Sequence, residues 1–361
     1  MGDKLGHGAG EIKAGSTLAR GRAQAGLALG GGKRQASFEI LGRRTMLRKI
    51  LVAAAATLSI AGAVPAEAQQ FINVLTGGTS GVYYPLGVAL SNIYAKAIPG
   101  AKSSAQATKA SVENLNLIEA GRGEIAFTLG DTLSDAWKGN TEVGFAKPLK
   151  KLRAVAAIYT NYIQIVATGD SGIKSLADLK GKRMSVGAAK SGAELNTRAV
   201  LKAAGLGYGD LSKVEYLPFG ESVDLMKNRQ LDTTLISAGL GVSAIRDLAT
   251  SLPIVLVPVP PATVAKIGDA AYQPATIPAG TYTGQNKDVP TVGIQNYLVT
   301  SADLKPDLVY AMTKAIFDHL DTLVAAHSAA RDISLANAAK PGPVPFHEGA
   351  ERFYKEKGVL K

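Results

Sequence analysis

Phe71-Ile72-Asn73-Val74-Leu75-Thr76-Gly77-Gly78-Thr79-Ser80-Gly81 passes from five strand-forming residues into a turn of glycines and hydroxyls. A helix pattern follows, with Pro85 suited to its first turn and Leu86, Leu90, Ile93 and Ala97 on one face. Strand, glycine loop and helix in succession are the opening unit of an α/β layer. The rest of the chain repeats the alternation. A second helix, capped by Ser111, turns Val112, Leu115 and Ile118 inward and stops at Gly121. Strands are predicted over 124–129 and 152–167, a short helix at Ser175 and Asp178, and a strand over 183–187. Ser191 and Glu194 have the spacing of a capping box and open a helix ending near Gly205. Strand 214–219, a helix from Ser222, and strands 233–237 and 254–259 come next. The tail from Val299 reads as mostly helical, with Leu308, Met312, Ile316 and Leu320 at four-residue spacing. One internal echo stands out. Ser111-Val112-Glu113-Asn114-Leu115 before strand 124–129 resembles Ser222-Val223-Asp224-Leu225 before strand 233–237, as two similar lobes, or chance, would produce.

The 361 residues are 46% hydrophobic, enough to pack a core, and the length suits two domains of roughly 150 residues. Cysteine is absent, which excludes a disulfide scaffold, a thiolate nucleophile and cysteine-bound metal centres. The net charge is +11, but residues 1–68 hold 10 Lys+Arg against 4 Asp+Glu and so carry +6 of it. What remains is mixed in sign, with Lys150-Lys151 as long as any basic run. No clustered basic stripe points to nucleic acid as a partner.

The charged segment has the three parts of an export signal. Arg43-Arg44-Thr45-Met46-Leu47-Arg48-Lys49 is a basic leader, residues 50–64 are an apolar run too short for a membrane span, and Ala66-Glu67-Ala68 is a small-residue cleavage site. The mature chain is then expected to begin near Gln69 and to work in the periplasm. The paired arginines approximate a twin-arginine signal, whereas a start at Met46 would give a shorter Sec-type one.

Enzyme motifs fail on inspection. Gly239-Leu240-Gly241-Val242-Ser243-Ala244 has dinucleotide-loop spacing, but no acidic residue follows at the distance needed to hold a ribose. Gly181-Lys182 continues into Arg183 and is no phosphate loop. Thr79 stands where a nucleophile elbow needs serine. His319, His327 and His347 lack a matching carboxylate pair and read as solvated or helix-end residues. No cofactor or metal is expected. The chemistry instead lies in three loops, residues 77–81, 107–111 and 188–193, where strands lead into helices. Unpaired amides at helix starts attract anions, although Ser111 and Ser191 would also serve as ordinary caps.

At these residues the chain resembles a known family. Thr76-Gly77-Gly78-Thr79-Ser80-Gly81-Val82-Tyr83-Tyr84-Pro85-Leu86-Gly87 is similar to the opening signature of TAXI-type solute receptors of tripartite ATP-independent periplasmic (TRAP) transporters. Residues 111–115, 178–183, Ser191-Gly192 with Glu194, and Pro278-Ala279-Gly280-Thr281-Tyr282 extend the likeness over nearly all of 71–361. The resemblance implies an α/β type II periplasmic-binding fold: two α/β lobes joined by crossing hinge strands, with a ligand cleft between them. Lobe I would be 69–166 plus 295–361, lobe II 167–294, and residues 1–68 the leader. It further implies a monomeric receptor that closes on a small carboxylate and delivers it to a TRAP membrane permease. The expected ligand groups are Gly78, Thr79, Ser80, Tyr83, Ser111, Asn114 and Asp131 from lobe I, and Ser191, Gly192, Ala193 and Ser237 from lobe II. Asp131 could accept from a ligand ammonium or be a strand-end turn residue.

Two departures bear on the ligand. Lys109 and Lys190 stand where such receptors more often carry glycine or another small residue. One or both are expected to reach the cleft and favour a dianion, or else both are solvated loop lysines. Two other roles compete with TRAP uptake: a binding protein of the same fold serving an ABC importer or a sensor kinase, and an exported enzyme without a recognised motif.

Overall fold

The computed structural model describes residues 69–361. The expected export segment (residues 43–68) lies outside the described residues. Ten strands form one sheet in the order β2-β1-β3-β10-β4-β7-β5-β6, with β8 and β9 paired beside β4 and β10. The two central strands are long: β4 is Leu152–Thr168 and β10 is Val289–Ser301. They run antiparallel to each other, with Ile294 opposite Asn161 and Leu298 opposite Ala156.

Each side of this pair carries a parallel set. On one side are β1 (Gln70–Leu75), β2 (Ala101–Gln106) and β3 (Ile125–Leu129). On the other are β5 (Arg183–Ser185), β6 (Lys213–Glu215) and β7 (Thr233–Ala238). β8 is Ile254–Val257 and β9 is Gln273–Ile277. The order repeats about the centre, since β3 borders β10 as β7 borders β4. The internal echo falls on these equivalent places. Helix α2 (Ser111–Glu119) precedes β3, and α5 (Phe219–Lys227) precedes β7.

The remaining helices close the layers. On the first side are α1 (Tyr83–Ala97) and α3 (Gly130–Lys138). On the second are α4 (Gly192–Ala203), α6 (Ser243–Ser251) and α7 (Pro261–Ile267). The C-terminal stretch supplies α8 (Pro306–Asp318), α9 (Leu320–Ala326), α10 (Leu335–Ala338) and α11 (Glu348–Glu356). One apolar cluster packs α1, α8 and α11 against the sheet and continues to α5 and α6. A second fills the space around β5, β7 and α4, and a third lies under α2 and α3. No helix among the described residues is long and apolar enough to cross a membrane.

Three local expectations are corrected. The tail does not turn helical at Val299, which pairs with Ala126 and Ala154 inside β10; the helix begins at Pro306, and Leu320 falls in the next one, past a break at His319. Ser111 does not cap α2 but is its first residue. The cap position is Ala110, held at φ 69 and ψ −146, a backbone region that side chains disfavour. Helix α5 starts at Phe219, three residues before Ser222, which shortens strand 214–219 to β6. The histidines do sit at helix ends: His327 and His347 each accept a backbone N–H two residues on, both at 3.1 Å.

Candidate functional site

The loops that follow β1, β2, β5 and β6, together with the ends of β3 and β7, converge on one cleft. In open parallel sheets, ligands bind at the carboxyl ends of strands where the connection direction reverses, and this cleft occupies such a place. Its space, mouth included, is ≈ 660 Å³. Gly77, Gly78, Val82 and Tyr83 contribute one wall, with Thr108 to Ser111 and Leu129. Ala188, Ser191, Gly192, Ala193, Pro218 and Phe219 form the facing wall. Tyr159 and Asn161 of β4, with Ser237 and Ala238 of β7, complete it. Neither a carboxylate nor a histidine is among these lining residues.

Two helix starts meet across the cleft. Ser191 caps α4 by accepting the Glu194 amide at 3.1 Å, while Glu194 turns its carboxylate to Arg198 instead of completing the capping box. The amides of Gly192 and Ala193 find no acceptor among the described residues. Opposite them, Ser111 accepts the Leu129 amide at 3.2 Å and is 1% exposed. The backbone of Gly192 lies directly against it: a Cβ there would stand 2.8 Å from Ser111 Oγ. Amides and positive helix ends facing each other across an apolar space suit a small oxyanion.

Below the walls runs a chain of buried side-chain hydrogen bonds. Tyr83 Oη donates to Asn296 Oδ1, and Asn296 Nδ2 donates to Asn161 Oδ1 at 3.2 Å. Asn161 Nδ2 donates to Ser237 Oγ at 2.9 Å, and Ser237 Oγ to Asn196 Oδ1 at 2.7 Å. Asn196 Nδ2 then donates to Asp131 Oδ2 at 2.7 Å, beside the Tyr272 hydroxyl at 2.6 Å. The Tyr83 ring also stacks on Phe127 with centroids 5.0 Å apart. Burial keeps the Tyr83 hydroxyl protonated by raising its pKa.

Of the residues expected from sequence, Gly78, Tyr83, Lys109, Ser111, Ser191, Gly192, Ala193 and Ser237 come together in the cleft. Five do not line it. Thr79 is exposed, and the Ser80 carbonyl accepts from Ser243 Oγ at 2.8 Å and the Ala244 amide at 3.3 Å, a bond between the two sides. Asn114 is fully buried, with Thr108 Oγ1 donating to its carbonyl while its amide donates to the carbonyls of Thr76 and Phe127. Asp131 is withdrawn from any ligand ammonium, because all its donors are protein groups: Thr132, Asn196 and Tyr272. Burial pushes its carboxyl up to about 6 against the opposing pull of those hydrogen bonds. Lys190 is exposed at φ 63, so a glycine suits this position for its backbone conformation.

Sequence reasoning overlooked Tyr159, Asn161 and Phe219. Asn161 carried a signal, as a polar residue within a long apolar strand. Phe219 was absorbed into a strand that ends earlier.

Comparison with known proteins follows from this architecture. A family match covers residues 74–358, most of the chain and every element that builds the cleft. The chain belongs to the NMT1-like family. Among solved structures, this NMT1-like protein is similar to PhnD1 from Prochlorococcus marinus in complex with methylphosphonate, at 10% identity over 81% of this chain and 100% of that one, with a TM-score of 0.53. A structure described as a periplasmic transporter gives 12% identity, 81% and 93% coverage and a TM-score of 0.50. The periplasmic aliphatic sulphonate binding protein SsuA from Escherichia coli gives 14%, 81% and 94%, with a TM-score of 0.43. At such identities the likeness concerns the fold. The NMT1-like chain has the α/β fold of periplasmic solute-binding proteins, with its cleft beside the crossing strands.

Proposed function

We propose that this protein is an extracytoplasmic solute receptor that closes on a small organic anion, a carboxylate first of all, and passes it to a membrane importer. The observation that carries the reading is the meeting of two helix starts across the cleft, with Gly192 against Ser111. In this reading residues 69–166 with 295–361 form one lobe and 167–294 the other, and β4 and β10 are the hinge. A ligand favours closure to the extent that it contacts both lobes better when they are closed. Export through the segment ending at Ala68 belongs to the same proposal.

The importer we propose is of the ABC type. The TRAP assignment rests on the motif resemblance alone, whereas the family match and the binding-protein fold ask only for a receptor serving an importer.

The test is a thermal-shift screen of residues 69–361 against carboxylates, amino acids, sulfonates and phosphonates, followed by calorimetry. A solute with a Kd near ~1 μM, present at about 1 mM, should stabilise the fold by about 4 kcal/mol. A selective shift without turnover supports the receptor. Absence of any shift across the panel rejects the ligand class, and consumption of excess solute would reinstate the enzyme.

A further inference from the structure

Tyr159 lies on the hinge strand β4 and lines the cleft, yet it is fully buried and its hydroxyl meets no hydrogen-bond partner among the described residues. A buried hydroxyl without a partner carries the whole cost of its desolvation, so such groups call for an explanation. Its own backbone carbonyl is satisfied by Asn296 Nδ2 at 3.0 Å, which leaves the phenol as the unmatched group. Burial raises its pKa well above the ordinary tyrosine value, so the group is a neutral O–H donor throughout the physiological range. Its neighbours in the lining are already committed: the Asn161 amide donates to Ser237, and the Ser237 hydroxyl to Asn196.

We infer that Tyr159 Oη is a ligand-recognition group that donates to a second oxygen of the bound solute. The inference rests on the receptor reading above and narrows it. The helix starts at Ser111 and Gly192 take the anionic head, and the phenol selects solutes that carry, beyond that carboxylate, an oxo, hydroxyl or second carboxylate oxygen. A plain alkyl acid would leave the hydroxyl unmatched. A site with a buried unpaired donor discriminates strongly against analogues that lack the acceptor.

The experiment uses butanoate, 2-hydroxybutanoate, 2-oxobutanoate, butanedioate and pentanedioate as probes, with calorimetric titration of the wild type, Tyr159→Phe and Tyr94→Phe. Tyr94 is the control, because its hydroxyl is also buried and unpartnered but, unlike Tyr159, it is not among the residues that line the cleft. The expected result is that the wild type prefers at least one oxygen-bearing acid over butanoate by tenfold or more. Tyr159→Phe should then lose most of that preference while Tyr94→Phe keeps it. Thermal unfolding of both unliganded variants at or above the wild-type temperature would show that the fold is intact. If the acids bind and Tyr159→Phe retains the preference, the inference is overturned and the receptor reading stands. If none of the acids binds the wild type, this inference and its assignment of an organic acid fall together.

Discussion

The backbone of Gly192, the first residue of α4, is packed against the side chain of Ser111, the first residue of α2. A Cβ added to Gly192 would lie 2.8 Å from Ser111 Oγ and 2.6 Å from Leu129 Cδ1. Both neighbours are almost wholly buried, so neither has free room to swing away. Alanine is otherwise a good residue for a helix start's interior side, and the position has no positive φ to demand glycine. The cost of Gly192→Ala therefore falls on the contact between the two helix starts. The expected outcome is at least a tenfold weaker Kd for the solute found by screening, about 1.4 kcal/mol, with far-UV circular dichroism unchanged. An unchanged Kd in calorimetry would show that the two helix starts need not meet for binding.

The two loop lysines should behave differently. Lys190 is exposed and occupies φ 63, where an L-residue is strained and glycine is not. Lys190→Gly should raise the unfolding free energy by about 1 kcal/mol, offset in part by the greater freedom of glycine in the unfolded chain, and should leave solute affinity within twofold. Urea denaturation and calorimetry on the same preparation check both halves.

Lys109 lines the cleft while remaining exposed. An ammonium in that setting acts through a screened field. Lys109→Ala is expected to weaken a dianion severalfold at low salt, weaken a monoanion less, and lose most of its effect near 0.5 M salt. Equal affinities for the wild type and variant at low salt would remove Lys109 from ligand recognition.

The α/β class was legible because strand, glycine loop and helix follow one another at 71–87 and again at 183–203. The glycine- and serine-marked loops were readable for the same reason, and eight of the thirteen expected site residues reach the cleft. Strand β10 was hidden. Both of its faces are covered, so it lacks the alternation of a half-exposed strand, and Pro290 near its start argues against a strand in the sequence alone. Asp131 and Asn114 looked like ligand groups because both are polar and lie near the loops. Only three-dimensional pairing shows that Asn196, Tyr272, Thr76 and Phe127 already occupy their hydrogen-bonding atoms. Conversely, nothing in the sequence singles out Tyr159, because a strand position does not reveal whether its hydroxyl is matched.

Asp131 gives the fold a pH dependence whose sign can be worked out. Its carboxyl accepts from Asn196 Nδ2, Tyr272 Oη, and the amide and hydroxyl of Thr132, which favours the ionised form. Burial outweighs them, and the Coulombic influence of Asp269 adds to it, taking the pKa from 3.8 to about 6. Between those two values the folded protein holds a proton that the unfolded chain has released. Stability from this group is therefore fully present below about pH 4 and is lost as pH rises through 6. That rise corresponds to about 3 kcal/mol. Asp131→Asn removes the titration but leaves four donors facing an amide, so it shifts stability by an offset that does not depend on pH. Urea unfolding of both proteins at pH 4, 5, 6 and 7 should show the wild type losing stability relative to the variant across that range. A difference that stays level from pH 4 to 7 would mean that the four donors hold the carboxylate ionised despite its burial.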